Sequence, residues 1–270
     1  MKKKLFLFII LMISIAVCAV ALSSCGGEES EELGETSPGL TFELNADEQS
    51  YTVTGTTEDF NAKNLVINQH NGLPITDIAP EAFRFNLIIE SVAIADGVKS
   101  IGETAFRDCF ILESAVIPKS VENFGAGVFS GCKRLTNVEI AEGITTIPDR
   151  MFTGCGIREI TIPSTVTSIE RSAFARSAIT SITIPDSVKS IGTDAFDRCD
   201  QLKTVTIGSG VDHIGAGAFF MCIELQSVTF KNPEGWSMGK DVIASADLQN
   251  AQTAATYLKD LIYSGQWNRQ

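Results

Sequence analysis

Apolar residues recur along this chain with a period of 22 or 23 residues. Phe83, Phe106, Phe129, Phe152, Phe174, Phe196 and Phe219 mark it, with gaps of 23, 23, 23, 22, 22 and 23. A second ladder, Ile94, Ile117, Ile140, Ile162, Ile184, Ile207 and Phe230, keeps the same period at a different offset. Two ladders in step predict a solenoid of stacked units. Within a unit, Leu202-x-x-Val205-x-Ile207 ends on alternating apolar residues, which a strand points to one side. Such strands from successive units pair in parallel, about 4.8 Å apart. Val188 and Ile191 lie on a return segment. Gly192 and its equivalents Gly102, Gly125 and Gly215 suit a tight corner where a side chain is awkward. The Ala-Phe pair that follows fills the interior of the far side.

The pattern changes at both ends. Leu40–Leu44 and Ser50–Thr54 alternate apolar and polar residues around Asn45-Ala46-Asp47-Glu48, which predicts a β-hairpin over the open end of the array. Asn64–Ile67 starts a first, irregular unit, whose extra length falls around His70-Asn71-Gly72-Leu73-Pro74. After Phe230, Asn232-Pro233-Glu234-Gly235-Trp236 breaks the repeat. Ala246 to Ile262 reads as one helix, with Leu248, Ala251, Ala255, Leu258 and Ile262 near one face, Asp247 as its cap and Gly265 as its stop. This helix is a lid for the array, with Trp267 packed beside it, or else a partner-binding helix.

Lys2-Lys3-Lys4 followed by the apolar run Leu5 to Ala21 reads as an export signal. The run is long enough for an uncleaved membrane anchor as the alternative. Leu22-Ser23-Ser24-Cys25 resembles the lipobox of bacterial lipoproteins. That resemblance implies lipidation of Cys25 and cleavage before it. The acidic, Gly-rich stretch from Gly26 to Glu32 has little to bury and reads as a tether. It is either a spacer or, by its resemblance to signals of surface lipoproteins in some Gram-negative anaerobes, an export signal. The chain thus divides into a lipoprotein signal peptide (1–24), a tether (25–39), a hairpin cap (40–63), a repeat array (64–232) and a helical closing segment (233–270).

Ser181-Ile182-Thr183-Ile184-Pro185-Asp186-Ser187-Val188, with Ile191-Gly192 and Ala195-Phe196-x-x-Cys199, resembles the BspA-like leucine-rich repeats of bacterial surface proteins. The expected fold is an α/β repeat solenoid of leucine-rich-repeat type, with parallel strands on one face, an N-terminal hairpin cap and a C-terminal helical cap. The resemblance further implies a curved array, export and adhesion to host proteins or other cells. Glu170 and Pro148 depart from the corner Gly, and Ser177 and Asn86 from the Cys, without threatening the fold.

Net charge is −12, and loss of the first 24 residues with their three lysines leaves 18 basic against 33 acidic residues, or −15. That balance argues against nucleic acid and anionic membrane surfaces as partners. Five cysteines, Cys109, Cys132, Cys155, Cys199 and Cys222, stand three residues after a ladder Phe. The periodic slot and odd count fit small buried groups bonded to turn backbone. A disulfide or a metal are the lesser alternatives. Only two histidines exist, His70 in the irregular loop and His213 in a variable, exposed slot of the return segment. No phosphate-loop, zinc or EF-hand motif is present. The sequence therefore predicts no catalytic residues, no cofactor and no metal.

The outward strand positions are the remaining candidate site. They are Ala93, Val116, Glu139, Thr161, Thr183, Thr206 and Thr229 in the centre, flanked by Glu159 and a run of Ser, Thr and Asn. Threonine is also simply a good strand residue. Read functionally, Glu139, Glu159, Thr161, Thr183, Thr206 and Thr229 offer hydrogen bonds over an extended concave face. The expected protein is a monomeric, non-enzymatic adhesion module held by lipid on Cys25 at the outer-membrane surface. Its expected partner is a host or bacterial surface protein. The alternative is an envelope scaffold facing the periplasm, without a host ligand.

Overall fold

The computed structural model describes residues 33–260 and 265–269. The leader, the Cys25 lipidation site and the tether up to Glu32 lie outside the described residues, as does Ile262 at the end of the expected helix.

The repeats wind as expected. One wall is a row of short parallel strands: Asn64–Ile67, Ser91–Ile94, Ser114–Ile117, Asn137–Ile140, Ser181–Thr183, Thr204–Ile207 and Ser227–Phe230. Pairing is residue for residue, Val92 opposite Ala115 and Val205 opposite Val228. The return segments build a second row of two-residue strands, such as Ser100–Ile101, Ser168–Ile169 and Ser190–Ile191. The ladder phenylalanines stack face to face down the interior with centroids 4.9 to 5.9 Å apart, each at most 2% exposed. Aromatic stacking at that spacing adds to the burial of the rings.

Glycine serves the corner through space. A Cβ on Gly125 would stand 2.1 Å from the amide nitrogen of Glu103, and one on Gly102 2.3 Å from that of Pro80. Successive rungs touch backbone to backbone there. A second conformational rule was hidden. The residues two before and two after each ladder Phe lie in the left-handed region. Around Phe174 they are Ser172 and Arg176, and around Phe129 they are Gly127 and Gly131. Most units hold non-glycine residues in these slots, each costing about 1–2 kcal/mol relative to the right-handed conformation.

The five cysteines are free and buried. Each thiol donates to the carbonyl of the ladder Phe one rung back, as Cys109 Sγ does to Phe83 O and Cys155 Sγ to Phe129 O, both at 3.1 Å. Asn86 fills the slot by accepting from the Ile88 and Ile89 amides, and Ser177 by pairing with Cys199 Sγ at 3.4 Å. Burial pushes the Cys155 thiol well above its ordinary range. Thiolate is the reactive form. Alkylation mapped by peptide mass is therefore expected to leave these five thiols unmodified in the native protein and to modify all five after unfolding. Ready native modification would place the ladder elsewhere.

Both ends are closed. Leu40–Leu44 and Tyr51–Thr56 form the expected antiparallel hairpin, whose second strand pairs in parallel with Leu73–Ile78 at the start of the return row. The strand row has its own cover. Ser37 exchanges hydrogen bonds with Asn64 and Val66, and Thr36 Oγ1 accepts from the Asn68 and Gln69 amides. Residues read as the end of the tether thus belong to the cap. The extra length of the first unit is a small hairpin, Gln69–His70 against Leu73–Pro74, turned by Asn71-Gly72 with both φ positive. At the far end two short helices, Ser245–Gln249 and Ala251–Lys259, replace the single helix expected. Asn250 divides them, because its side chain caps the second by accepting from Gln252 and Thr253. Asp247 is not the cap; its carboxylate accepts from the Tyr257 hydroxyl at 3.0 Å. Helices occur among the described residues only here, so the helical content of this solenoid lies in its lid. Trp236 and Trp267 are buried, and Trp267–Arg269 pairs antiparallel with His213–Ile214. His213 is therefore half-buried rather than exposed, its Nδ1 2.9 Å from Asn268 Oδ1.

Candidate functional site

One rung interrupts both rows. In the return row, the amide at the corner slot donates to the preceding rung: Gly125 to Ile101 O, Glu170 to Ile147 O, Gly192 to Ile169 O. Pro148 has no N–H to give. Strand Thr146–Ile147 accordingly does not pair with Asn123–Phe124, and the row divides into two sheets at that point. Eight residues on, Gly156 alone spans Cys155 to Ile157, where the previous unit has Lys133 and Arg134. The next unit is shortened in the same way at Ala178, yet only after Gly156 do the wall residues, Glu159–Ile162, lie in no strand, and no backbone hydrogen bond joins these four to either neighbouring rung. The Phe129–Phe152 spacing, 5.9 Å, is the widest in the ladder. The strand wall is thus open at one rung mid-array, which is held by its buried side chains and by the backbone bonds of the Phe side, Phe129 N to Met151 O and Phe152 N to Ala173 O.

The open rung divides the outward face by chemistry. On its N-terminal side Ala93, Val116 and Glu139 stand in one column, with Val116 42% exposed. On its C-terminal side Thr183, Thr206 and Thr229 stand in register. Glu159 and Thr161 sit on the open rung itself, both exposed. Glu139, Thr183 and Thr229 are exposed and Thr206 half-buried. The structure therefore groups three of the four threonines and sets the two carboxylates at the border between an apolar and a hydroxyl-bearing half. Neither Glu139 nor Glu159 makes a salt bridge or a side-chain hydrogen bond among the described residues. The sequence could not show the break, because Thr161 and Ile162 repeat the strand pattern faithfully.

Other candidates for chemistry are occupied by packing. His70 stacks on Phe42 at 3.8 Å, meets Tyr51 edge-on at 4.9 Å and contacts Asn71 Nδ2 through Nε2. The depression beside it, about 370 Å³, is lined by cap residues including Glu35 and Gln69. Among the described residues no three His, Cys, Asp or Glu side chains gather as a metal site.

The geometry is thus a capped stack of 22–23-residue turns with one open strand wall. A family model for the BspA type leucine rich repeat region matches residues 58–180 and 167–235, in six copies. The chain belongs to the BspA-type leucine-rich-repeat family. No curated protein matches the sequence. Among solved structures, the leucine rich repeat protein of T. pallidum is 23% identical at a TM-score of 0.51, covering 73% of this chain and 84% of that one. It shows the shared fold alone. A leucine rich cell surface protein from Faecalibacterium prausnitzii A2-165 is 28% identical, with 74% and 71% covered and a TM-score of 0.49. Membership of this family is consistent with a protein-binding module. Among the described residues no helix is long and apolar enough to cross a membrane.

Proposed function

We infer that this protein is a lipid-anchored module of the cell surface that binds another protein through its strand wall and carries out no reaction. The observation that carries the reading is the wall itself. Glu139 and Glu159 stand unpaired beside backbone that forms no ladder, between an apolar column and a threonine column. A protein partner with basic and hydrogen-bonding groups matches that arrangement, and exchange of water for partner at the open rung satisfies polar groups that neighbouring rungs leave free. The absence of an aromatic platform on the wall disfavours carbohydrate. The surface location draws on the Faecalibacterium prausnitzii relative, a cell surface protein by name, and the anchor on Leu22-Ser23-Ser24-Cys25.

Two linked measurements test this. Cells fed a labelled fatty acid are expected to label the wild type, and Cys25→Ala is expected to lose the label. Protease added to intact cells is expected to cut the array away. Protection until the outer membrane is opened would move the protein to the periplasm, as a scaffold without a host ligand.

A further inference from the structure

Among the described residues, four exposed apolar side chains gather away from the strand wall, on the bend that follows the ladder Phe in the first two full rungs. Phe85, Leu87, Ile88 and Phe110 are 53%, 61%, 38% and 37% exposed. They are neighbours by stacking. The Phe85 amide donates to Arg107 O at 2.9 Å, and Glu113 N donates to Glu90 O, so Leu87 and Ile88 lie beside Phe110 and Ile111 of the next rung. Phe85 also has a left-handed φ of 59°. A bulky side chain in that region is an uncommon and costly choice, and burial does not explain it here. In the rungs that follow, the slots of Leu87 and Ile88 hold Lys133 and Arg134, then Gly156, then Ala178, then Asp200 and Gln201.

Cations frame this corner within an acidic chain. The Arg84 guanidinium lies 4.8 Å from the Phe85 ring centre, and Lys133 Nζ 5.7 Å from that of Phe110. Aromatic and aliphatic tips with flanking Lys and Arg are what an element needs to sit at the headgroup boundary of a bilayer. Chain length brings the bilayer within reach. From Cys25 to Leu33 there are eight residues, which span at most about 28 Å when fully extended. Leu33 is bonded to Asn68 at the first strand of the wall, so the chain enters the array at this same end.

We propose that the corner formed by Phe85, Leu87, Ile88 and Phe110 rests in the interface of the bilayer that holds the Cys25 lipid. This rests on the anchored reading above. The array then stands with its N-terminal corner in the headgroups and its strand wall in water. The overall negative charge repels an anionic surface; Arg84 is paired with Glu81, and Lys133 is the framing cation that offsets that repulsion locally.

The molecule contains its own control. Ile223 occupies the slot of Leu87 six rungs along, about 29 Å away at the usual strand spacing, and is equally exposed at 61%. Full-length lipoprotein carrying Leu87→Cys or Ile223→Cys is spin-labelled and incorporated in phosphatidylethanolamine–phosphatidylglycerol vesicles. The buried ladder thiols do not compete for the label. Flotation with the vesicles reports the anchor; accessibility to oxygen against a water-soluble nickel chelate reports the corner. The expected result is a Leu87 label that favours oxygen, an Ile223 label that favours the chelate, and return of the Leu87 label to water on Phe85→Ser with Phe110→Ser. A floating protein whose Leu87 label stays in water overturns the proposal. So does one in which both labels sit in lipid, or in which the Leu87 label is shielded from both probes by a second copy. A protein that fails to float overturns the anchor, and the proposal falls with it.

Discussion

Phe152→Ala is expected to lower the unfolding free energy by about 3–5 kcal/mol, the cost of a large core truncation. Phe152 is fully buried and lies between Phe129 at 5.9 Å and Phe174 at 5.4 Å. Its rung is unpaired with the preceding one in the return row and with both neighbours in the strand wall, so ring packing and the backbone bonds of the Phe side, such as Phe129 N to Met151 O and Phe152 N to Ala173 O, join the two halves of the array there. In a solenoid each unit holds only its neighbours. The truncation is therefore expected to split the urea transition into two steps as well as to weaken it. Val242→Ala, at 83% exposure, is expected to change stability by less than about 0.5 kcal/mol. A single transition with a loss under about 1 kcal/mol would mean that the rung is held by something other than its ring.

The open rung gives the second large effect. The amides of Ile160, Thr161 and Ile162 donate to no backbone partner, whereas Val138 and Val205 lie in paired strands. Exchange with deuterium is expected to be at least about 100-fold faster at the first three, the ratio given by ~3 kcal/mol in opening free energy. Restoring the corner with Pro148→Gly supplies the missing amide to the return row and is expected to slow exchange at Thr146 and Ile147. Equal protection along the whole strand row would show the ladder to be continuous.

Most of the fold was legible because a solenoid repeats its own instructions. One unit misread is corrected by six others, and the Phe, Ile, Gly and Cys slots each have a single physical job. The places where reading failed are those where no repeat could vote. Asn250 looked like one polar residue within a helical pattern, yet its side chain ends one helix and starts another. Thr36 and Ser37 looked like tether, and only the bare edge of Asn64–Ile67 explains their order. The left-handed slots left a partial signal, glycine at positions 127, 131, 154 and 217, but Thr104, Arg150 and Met221 in the same slots concealed it.

The wall was legible as a list of outward residues but not as a site. Glu159 and Thr161 keep the repeat's spelling while their backbone leaves the ladder, after a corner where Pro148 has removed an amide from the return row. The side chains follow the repeat and the hydrogen bonds do not. That separation is why the two carboxylates read as part of a uniform stripe and stand in fact at a border.

The most direct test of a protein-binding wall is photocrosslinking on intact cells, with the reactive residue placed at Thr183 on the wall or at Lys189 on the exposed return side. A discrete protein adduct from Thr183, weakened by Glu139→Lys with Glu159→Lys and missing from Lys189, is the expected result. No adduct from Thr183, or the same adducts from both positions, would contradict a binding function for this face.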